Sequence, residues 1–286
     1  RYYAAMLAVL DEAIGNITSF IENDPELRDN TLLVISNDNG GMSGSYGMAC
    51  CNCGTSCGGL NYPYRGWKST YWEGGFRGIG AVWGPGFING SNYDGNETIV
   101  GTSLTYEPLV HVTDWLPTLI SAALSRDTDE ERARAREALS GLFDRGAIDG
   151  IDQWQSLLEN ATATPSFGKS IEDGLSPTSR ETQLAQRRAG PRTEILHAYE
   201  PQNKHAAYLF ENYKLLVGNW GAFQHCDICN ATDGGVCCND IAPNPHHPMG
   251  KDWYGNYLLY DILEDPRELN DLSLDQPELL EEMMNR

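Results

Sequence analysis

Thr31-Leu-Leu-Val-Ile-Ser36 is an unbroken apolar run without polar alternation, the pattern of a strand buried on both faces of a parallel sheet. Upstream, Met6, Leu10, Ala13-Ile14, Ile17 and Phe20-Ile21 recur at helical spacing, and Asp24-Pro25 closes that helix. Gly78-Ile-Gly-Ala-Val-Trp83 reads as a second buried strand of the same mostly parallel sheet. Thr113 or Asp114 caps a helix running to about Leu124, with Pro117 in its first turn, and a charged helix follows from Asp127 to Leu142. Residues 161–191 are rich in Ser, Thr, Pro and Gly and read as a linker or surface excursion. Beyond them Thr193–Tyr199, Ala206–Gly218 and Tyr257–Leu263 are strand-like and Gln276–Asn285 is helical, which predicts a small antiparallel sheet with a helix packed on it. The expected fold class is α/β. Residues 1–160 would form part of a mostly parallel α/β domain, 161–191 the linker, and 192–286 a small α+β subdomain.

The junction after the first strand carries the candidate chemistry. In open α/β sheets the ligand crevice lies just outside the carboxyl ends of the strands. That position holds Asp38-Asn39-Gly40-Gly41: an anionic oxygen donor, a neutral oxygen donor, and two glycines that let backbone approach closely. A hard divalent cation suits this set. An Asp-Asn-Gly turn without a ligand is the competing reading.

Composition narrows the partners. A formal charge of -20 argues against nucleic acid, which calls for a basic face. With 41% hydrophobic residues, the chain can bury a sizeable core. No membrane span and no signal peptide are expected. Arg1-Tyr-Tyr-Ala already lies inside the helical pattern, so the sequence reads as the C-terminal part of a longer protein.

Eight cysteines fall in two clusters, Cys50, Cys51, Cys53, Cys57 and Cys226, Cys229, Cys237, Cys238. The even count and the acidic, Gly-rich surroundings favour disulfides in an oxidising compartment. Zinc is the rival, since Cys226-x-x-Cys229 followed by Cys237-Cys238 has tolerable ligand spacing. Asn-x-Ser/Thr sequons stand at Asn16, Asn89, Asn96, Asn160 and Asn230. Chance predicts roughly two, so the excess also points to a secretory, glycosylated product.

Asn61-Tyr-Pro-Tyr-Arg-Gly-Trp-Lys68-Ser-Thr-Tyr-Trp72-Glu73-Gly74-Gly75-Phe-Arg77 resembles the second signature region of the type I sulfatases, which follows a strand ending in DNGG. The motif is most similar to that of the arylsulfatase B group, the N-acetylgalactosamine sulfatases. Further resemblances follow in order at Tyr3–Ile17, His111–Leu119, Asp149–Asp152, Glu194–His197, Tyr213–Leu216 and Leu259–Pro266. The resemblance implies calcium-dependent hydrolysis of a sulfate ester, on a sulfated sugar or aryl sulfate, in a secreted or lysosomal protein. It implies one calcium ion bound in part by Asp38 and Asn39, with Lys68 holding a sulfate oxygen. It also implies a formylglycine nucleophile made from a Cys or Ser in an upstream C-x-P/A-x-R motif.

No cysteine of this chain stands in that motif. Ser176-Pro-Thr-Ser-Arg180 is a near miss in the linker, with Thr178 where Pro or Ala is required. The chain alone is therefore expected to be inactive. Trp72, Glu73 and Arg77 read as structural supports of the Lys68 loop, while Arg65 fits either role. His111 and His197 read as capping or packed residues before acid/base groups. Two rivals remain. A phosphodiesterase or phosphomonoesterase of the alkaline phosphatase superfamily commonly places Asp-His at the metal strand to hold zinc, whereas Asn39 is a hard neutral oxygen that suits calcium. A secreted, disulfide-rich calcium-binding module or a degenerate sulfatase would keep the fold without the reaction.

Overall fold

A computed structural model describes residues 2–42, 59, 61–88, 104–125, 128–143, 149–160, 162–163, 180–202, 204–218, 224–228, 236–240 and 257–286. Cys50, Cys51, Cys53, Cys57, Cys229 and the sequons at Asn89, Asn96 and Asn230 lie outside the described residues. Two compact units result: residues 1–84 with 196–286, and residues 85–195.

The first unit opens with α1 (Tyr2–Glu22), which carries the expected helical periodicity and runs five residues past Ile17. Only Ile21 of this helix is buried, and Tyr2, Met6, Val9 and Phe20 are each at least 65% exposed. By length and composition alone, α1 is apolar enough to cross a membrane, which the sequence reading did not anticipate. Asp11 and Glu12 interrupt its middle. Asp24 ends α1 and caps the next helix, α2 (Pro25–Asn30): its carboxylate accepts from the Glu26 and Leu27 amides, with Pro25 in the first turn.

The apolar run forms β1 (Leu33–Ser36) and pairs with β2 (Gly80–Trp83), as expected of two strands in one sheet. The pairing is antiparallel, however, and β1 is half-buried rather than buried on both faces. A parallel return needs a crossover of a dozen or more residues, usually a helix. Between these strands the one described helix is the four-residue α3 (Glu73–Phe76), so the chain comes back against the direction of β1. Four further strand pairs among the described residues are antiparallel as well. The mixed helix-and-sheet class stands; the parallel expectation does not.

The C-terminal sheet matches its expectation. Its strands are β5 (Glu194–Glu200), β6 (His205–Phe210), β7 (Tyr213–Val217) and β10 (Tyr257–Asp261), in the order β10-β7-β6-β5. The single strand-like run Ala206–Gly218 is a hairpin: β6 and β7 pair from Phe210↔Tyr213 across Glu211-Asn212, with Glu211 at φ 52°. The alternation of a strand gives this sheet two different faces. Tyr213, Leu215 and Val217, with Tyr208, Phe210, Tyr257 and Leu259, pack against Leu279, Leu280 and Met283 of the closing helix α8 (Pro277–Asn285). The opposite face presents Ala207, Leu209, Lys214, Leu216, Leu258 and Tyr260, all buried. The turn that leads into α3 covers this second face: Trp72 meets the Tyr260 ring edge-on at 5.9 Å.

In the second unit, β3 (Leu104–Thr105) pairs with β4 (Thr162–Ala163) beside the helices α4 (Trp115–Leu124), α5 (Asp129–Phe143), α6 (Trp154–Asn160) and α7 (Arg180–Arg188). The stretch read as a linker thus contains α7. Before α4 stands a 3-10 turn, Val112–Asp114, capped by His111; Asp114, one of the two expected residues, holds the N-cap position of α4 but makes no side-chain capping bond there. Asp114 is fully buried and accepts from the His111, Ile151, Gln153 and Arg192 donors. Four donors converging on one carboxylate make it the hub of this unit, so it has no capping role to spare for α4. A remaining two-stranded ribbon joins β8 (Gln224–Ile228) to β9 (Val236–Asp240), with Cys226 opposite Cys238 and Asp227 opposite Cys237 in the backbone register.

The glycines after β1 are packing requirements. A Cβ on Gly40 would fall 1.7 Å from the Gly74 carbonyl oxygen, whereas a Cβ on Gly15, in α1, would meet nothing within 4 Å. Gly40→Ala is expected to lower stability in urea denaturation by about 2 kcal/mol or more, because the obstruction is backbone. Gly15→Ala should cause no loss.

Candidate functional site

β1 delivers its last residues into a clamp of three asparagine-rich contacts. Asn37 accepts from the Ile79 amide at 2.5 Å and donates to the Asn39 carbonyl at 2.8 Å, which ties the end of β1 to the start of β2. Asn39 is half-buried; its Nδ2 donates to the Gly40 carbonyl at 2.9 Å, leaving Oδ1 as the amide atom available to a ligand. Asp38 is exposed. Asn61 holds the next residue from both sides, accepting from the Gly41 amide and donating to the Gly41 carbonyl, each at 2.8 Å, and it donates to the Gly66 carbonyl at 3.0 Å.

The same backbone meets the Lys68 turn. Gly40 donates to the Gly75 carbonyl at 3.0 Å, Lys68 donates to the Gly41 carbonyl at 3.5 Å, and Gly74 donates to the Arg65 carbonyl at 2.7 Å. The chain neighbours of the predicted metal ligands are therefore bonded to the turn that carries Lys68. Within that turn Trp67 and Trp72 are 1% and 0% exposed, and Thr70 closes it by accepting from Trp67 N and donating to Trp67 O. Lys68 and Ser69 stand outside, Ser69 at φ 75°. A pair of buried tryptophans roots the turn, and Lys68 projects from its tip with no ion pair among the described residues.

Beneath the turn lies a buried charged triad that the sequence did not reveal. Lys214 Nζ sits 2.9 Å from Glu73 Oε1 and 2.9 Å from Glu268 Oε1. Glu268 Oε2 accepts from the Glu73 backbone N–H at 2.7 Å. Arg65 donates to the Glu268 carbonyl at 2.8 Å and lays its guanidinium 3.7 Å over the Trp72 ring. Lys214 and Glu268 are both 0% exposed. Arg65, which the sequence left undecided, is thus a support, like Trp72 and Glu73.

Two carboxylates share one ammonium out of water, and they respond in opposite directions. Burial penalises the Glu73 carboxylate, yet Lys214, then Arg77 and His197, outweigh it and hold its pKa down at about 2. Burial pushes Glu268 up to about 7, against the pull of Lys214 and with the charge of Glu73 adding to the push. His197 stacks on Phe76 with ring centroids 4.6 Å apart, and His111 caps a turn, so both histidines take the structural roles read for them. Burial, then Arg192, keeps His111 below the usual imidazole range.

Among the described residues no group of three or more His, Cys, Asp or Glu side chains gathers as a metal cage. Asp38 and Asn39 offer two hard oxygens, the donor type calcium takes, but fewer than the six to eight it collects. Asn37, Asn61, Lys214 and Glu268 were missed because each acts across the fold. The nearest signal was Lys214 itself, a charge at a strand position between apolar neighbours.

No family model matches the chain. Arylsulfatase J of Mus musculus is 28% identical over an alignment of 310 residues that covers all of this chain and 39% of the relative. The crystal structure of Ps i-CgsB resembles it with a TM-score of 0.51 and 17% identity, over 99% of this chain and 41% of that one. The complex of Ps i-CgsB with k-i-k-neocarrahexaose gives the same TM-score, identity and coverage. These solved structures show the fold. The chain spans about two fifths of the length of the proteins it matches. A placement with the arylsulfatase B group rests on the motif alone.

The triad sets a pH dependence. Glu268, raised to about 7, contributes stability that is full below the ordinary carboxylate range and lost as pH rises through about 7. Glu73, held at about 2, contributes stability present above the ordinary range and lost as pH falls through about 2. Melting temperatures across pH 5 to 8 should therefore decline toward the alkaline end, and Glu268→Gln should flatten that decline. An unchanged slope in the variant would remove Glu268 as its source.

Proposed function

We propose that this chain, sulfatase-like along its whole length, is part of a calcium-dependent sulfate-ester hydrolase acting on a sulfated sugar or aryl sulfate. The observation that carries the reading is the bonded junction of two motifs: Asp38-Asn39-Gly40-Gly41 meets the Lys68 turn through Gly40–Gly75 and Gly41–Lys68. Similarity along the whole of this chain to about two fifths of an arylsulfatase supports the reaction class. The Ps i-CgsB complex with k-i-k-neocarrahexaose is in keeping with a sugar substrate.

Hydrolysis of a sulfate ester needs charge neutralised on the non-bridging oxygens and a nucleophile in line with the leaving oxygen. Asp38 and Asn39 Oδ1 would supply two of the calcium ligands. When bound, calcium neutralises sulfate charge at this position. Lys68, exposed at the tip of a rigidly rooted turn, holds a sulfate oxygen as a point charge with three donors. The nucleophile, a formylglycine by resemblance, comes from outside these 286 residues, and the isolated chain is inactive. The chain's net charge of -20 makes a local cationic centre necessary for a sulfated polyanion to approach. The sequons and the paired cysteine clusters favour a secreted or lysosomal setting in which the cysteines are oxidised.

In the complete protein, Asp38→Ala should abolish sulfatase turnover by removing the charged calcium ligand. Lys68→Ala should retain calcium and lose roughly a hundredfold in kcat, the scale of losing one oxyanion donor. Initial rates on an aryl sulfate at saturating calcium measure both. Near-normal turnover by Lys68→Ala would refute the role given to that residue.

A further inference from the structure

Lys214 and Glu268 belong to the C-terminal sheet and the turn that follows it, yet their side chains face away from the α8 core and into the underside of the Lys68 turn. We propose that Lys214 and Glu268 are positioning residues that fix where Lys68 stands relative to Asp38-Asn39. The part of this proposal that concerns sulfate rests on the reading of Lys68 given above.

The connections are short and directional. Glu73 is gripped at two points: its side chain by Lys214 at 2.9 Å, and its backbone N–H by Glu268 Oε2 at 2.7 Å. Glu268 is gripped in turn by Arg65, whose Nη1 donates to its carbonyl at 2.8 Å. Arg65 and Glu73 are the two ends of the segment that contains Lys68. Arg65 O and Gly74 N close that segment at 2.7 Å, and Gly75 O accepts from Gly40 N, two residues after Asp38. A displacement of Glu73 therefore moves both Lys68 and the bond that registers the turn against β1.

The glycines make the register stiff. A Cβ on Gly74 would lie 2.5 Å from the Arg65 and Gly66 carbonyl oxygens, and one on Gly75 would lie 2.2 Å from the Thr70 carbonyl. Backbone packed this closely has no slack, so the turn adopts one placement or is released as a unit. What selects the placement is charge rather than apolar fit. Lys214 is fully buried, and a buried ammonium requires close carboxylate partners. Glu73 and Glu268 are those partners, and Glu73 can serve only if the turn is seated. The other charged and titratable groups that influence the triad are Arg77, just after α3, His197 on β5, Arg65 in the turn, and Tyr260 on β10, with Asp265 acting on Arg65 and Tyr260. Of these, Arg77 Nη1 reaches Glu73 Oε2 at only 3.9 Å and is more than a third exposed, so it cannot replace Lys214.

The test is amide hydrogen exchange of Lys214→Met and Glu268→Ala variants of the 286-residue chain. Gly40, Thr70, Gly74 and Gly75, which are bonded within the clamp, should exchange about tenfold faster or more, while the β6–β7 ladder keeps its rates. Unchanged protection of the four turn amides, or equal acceleration of turn and ladder, would overturn the proposal. Should Lys214→Met fail to fold, Glu268→Ala, which removes the acceptor of the Glu73 N–H, decides by the same comparison. Inorganic sulfate, titrated onto the parent and onto Lys68→Ala, tests the reading of Lys68 separately. Equal sulfate affinity in those two would sink that reading and leave the exchange result standing. Where Lys68 does bind sulfate, Lys214→Met should weaken it by about tenfold with Lys68 intact, and an unweakened affinity would show that Lys214 supports the fold alone.

Discussion

A lysine ammonium with no exposure to water constrains the first unit more than any apolar contact in it. Lys214 occupies one of the two central strands of the C-terminal sheet, on the face opposite α8. Leaving its charge unpaired there would cost several kcal/mol, so the sheet is complete only when Glu73 and Glu268 arrive. Glu73 arrives on the turn, and it brings Trp67 and Trp72 with it as the apolar lid of that face. Sequence-distant parts of the unit are thereby joined, Glu73 lying 141 positions from Lys214 and Arg65 203 from Glu268. The energy that holds this junction is electrostatic and out of water, which makes it specific in register and sensitive to pH.

The molecule uses two lysines in opposite ways. Lys214 is consumed by its partners and has nothing to offer a ligand. Lys68, on the outer side of the same turn, has its backbone fixed and its charge unspent among the described residues. A cation presented by rigid backbone beside a carboxylate and an amide oxygen is a reasonable arrangement for an anion that is also held by a hard metal. Preorganisation of this kind lowers the reorganisation needed when charge develops in a transition state. The acidic exterior makes the local placement of that one cation matter more.

Local elements were legible from the sequence, and so was the motif. The helical spacing of Met6 to Ile21, the run Leu33–Ser36 and the antiparallel C-terminal sheet under α8 all follow from periodicity. Direction and pairing were less legible. The uninterrupted apolar character of β1 suggested parallel neighbours, but only the length and shape of the return, with its four-residue helix, fixes the sense of pairing with β2. Glu211-Asn212 hid a two-residue hairpin because it lacks the glycine that usually marks one. Asp114 stands at the expected N-cap position of α4 without a capping bond, because its carboxylate is engaged by donors from Ile151, Gln153 and Arg192, which lie far away in sequence. The triad was beyond reach for the same reason: a single lysine in a strand pattern does not announce which carboxylates will meet it.

Asp38, Asn39 and Lys68 are proposed to face one shared site. Gadolinium, a hard trivalent ion that takes oxygen ligands as calcium does, tests it directly through paramagnetic broadening of the protein's NMR signals. At low occupancy the signals of Asp38, Asn39 and Lys68 should broaden first and together, with those of Tyr208 and Leu215 on the α8 face remaining sharp. Broadening distributed over the acidic surface, with Lys68 left sharp while Asp38 disappears, would contradict the claim.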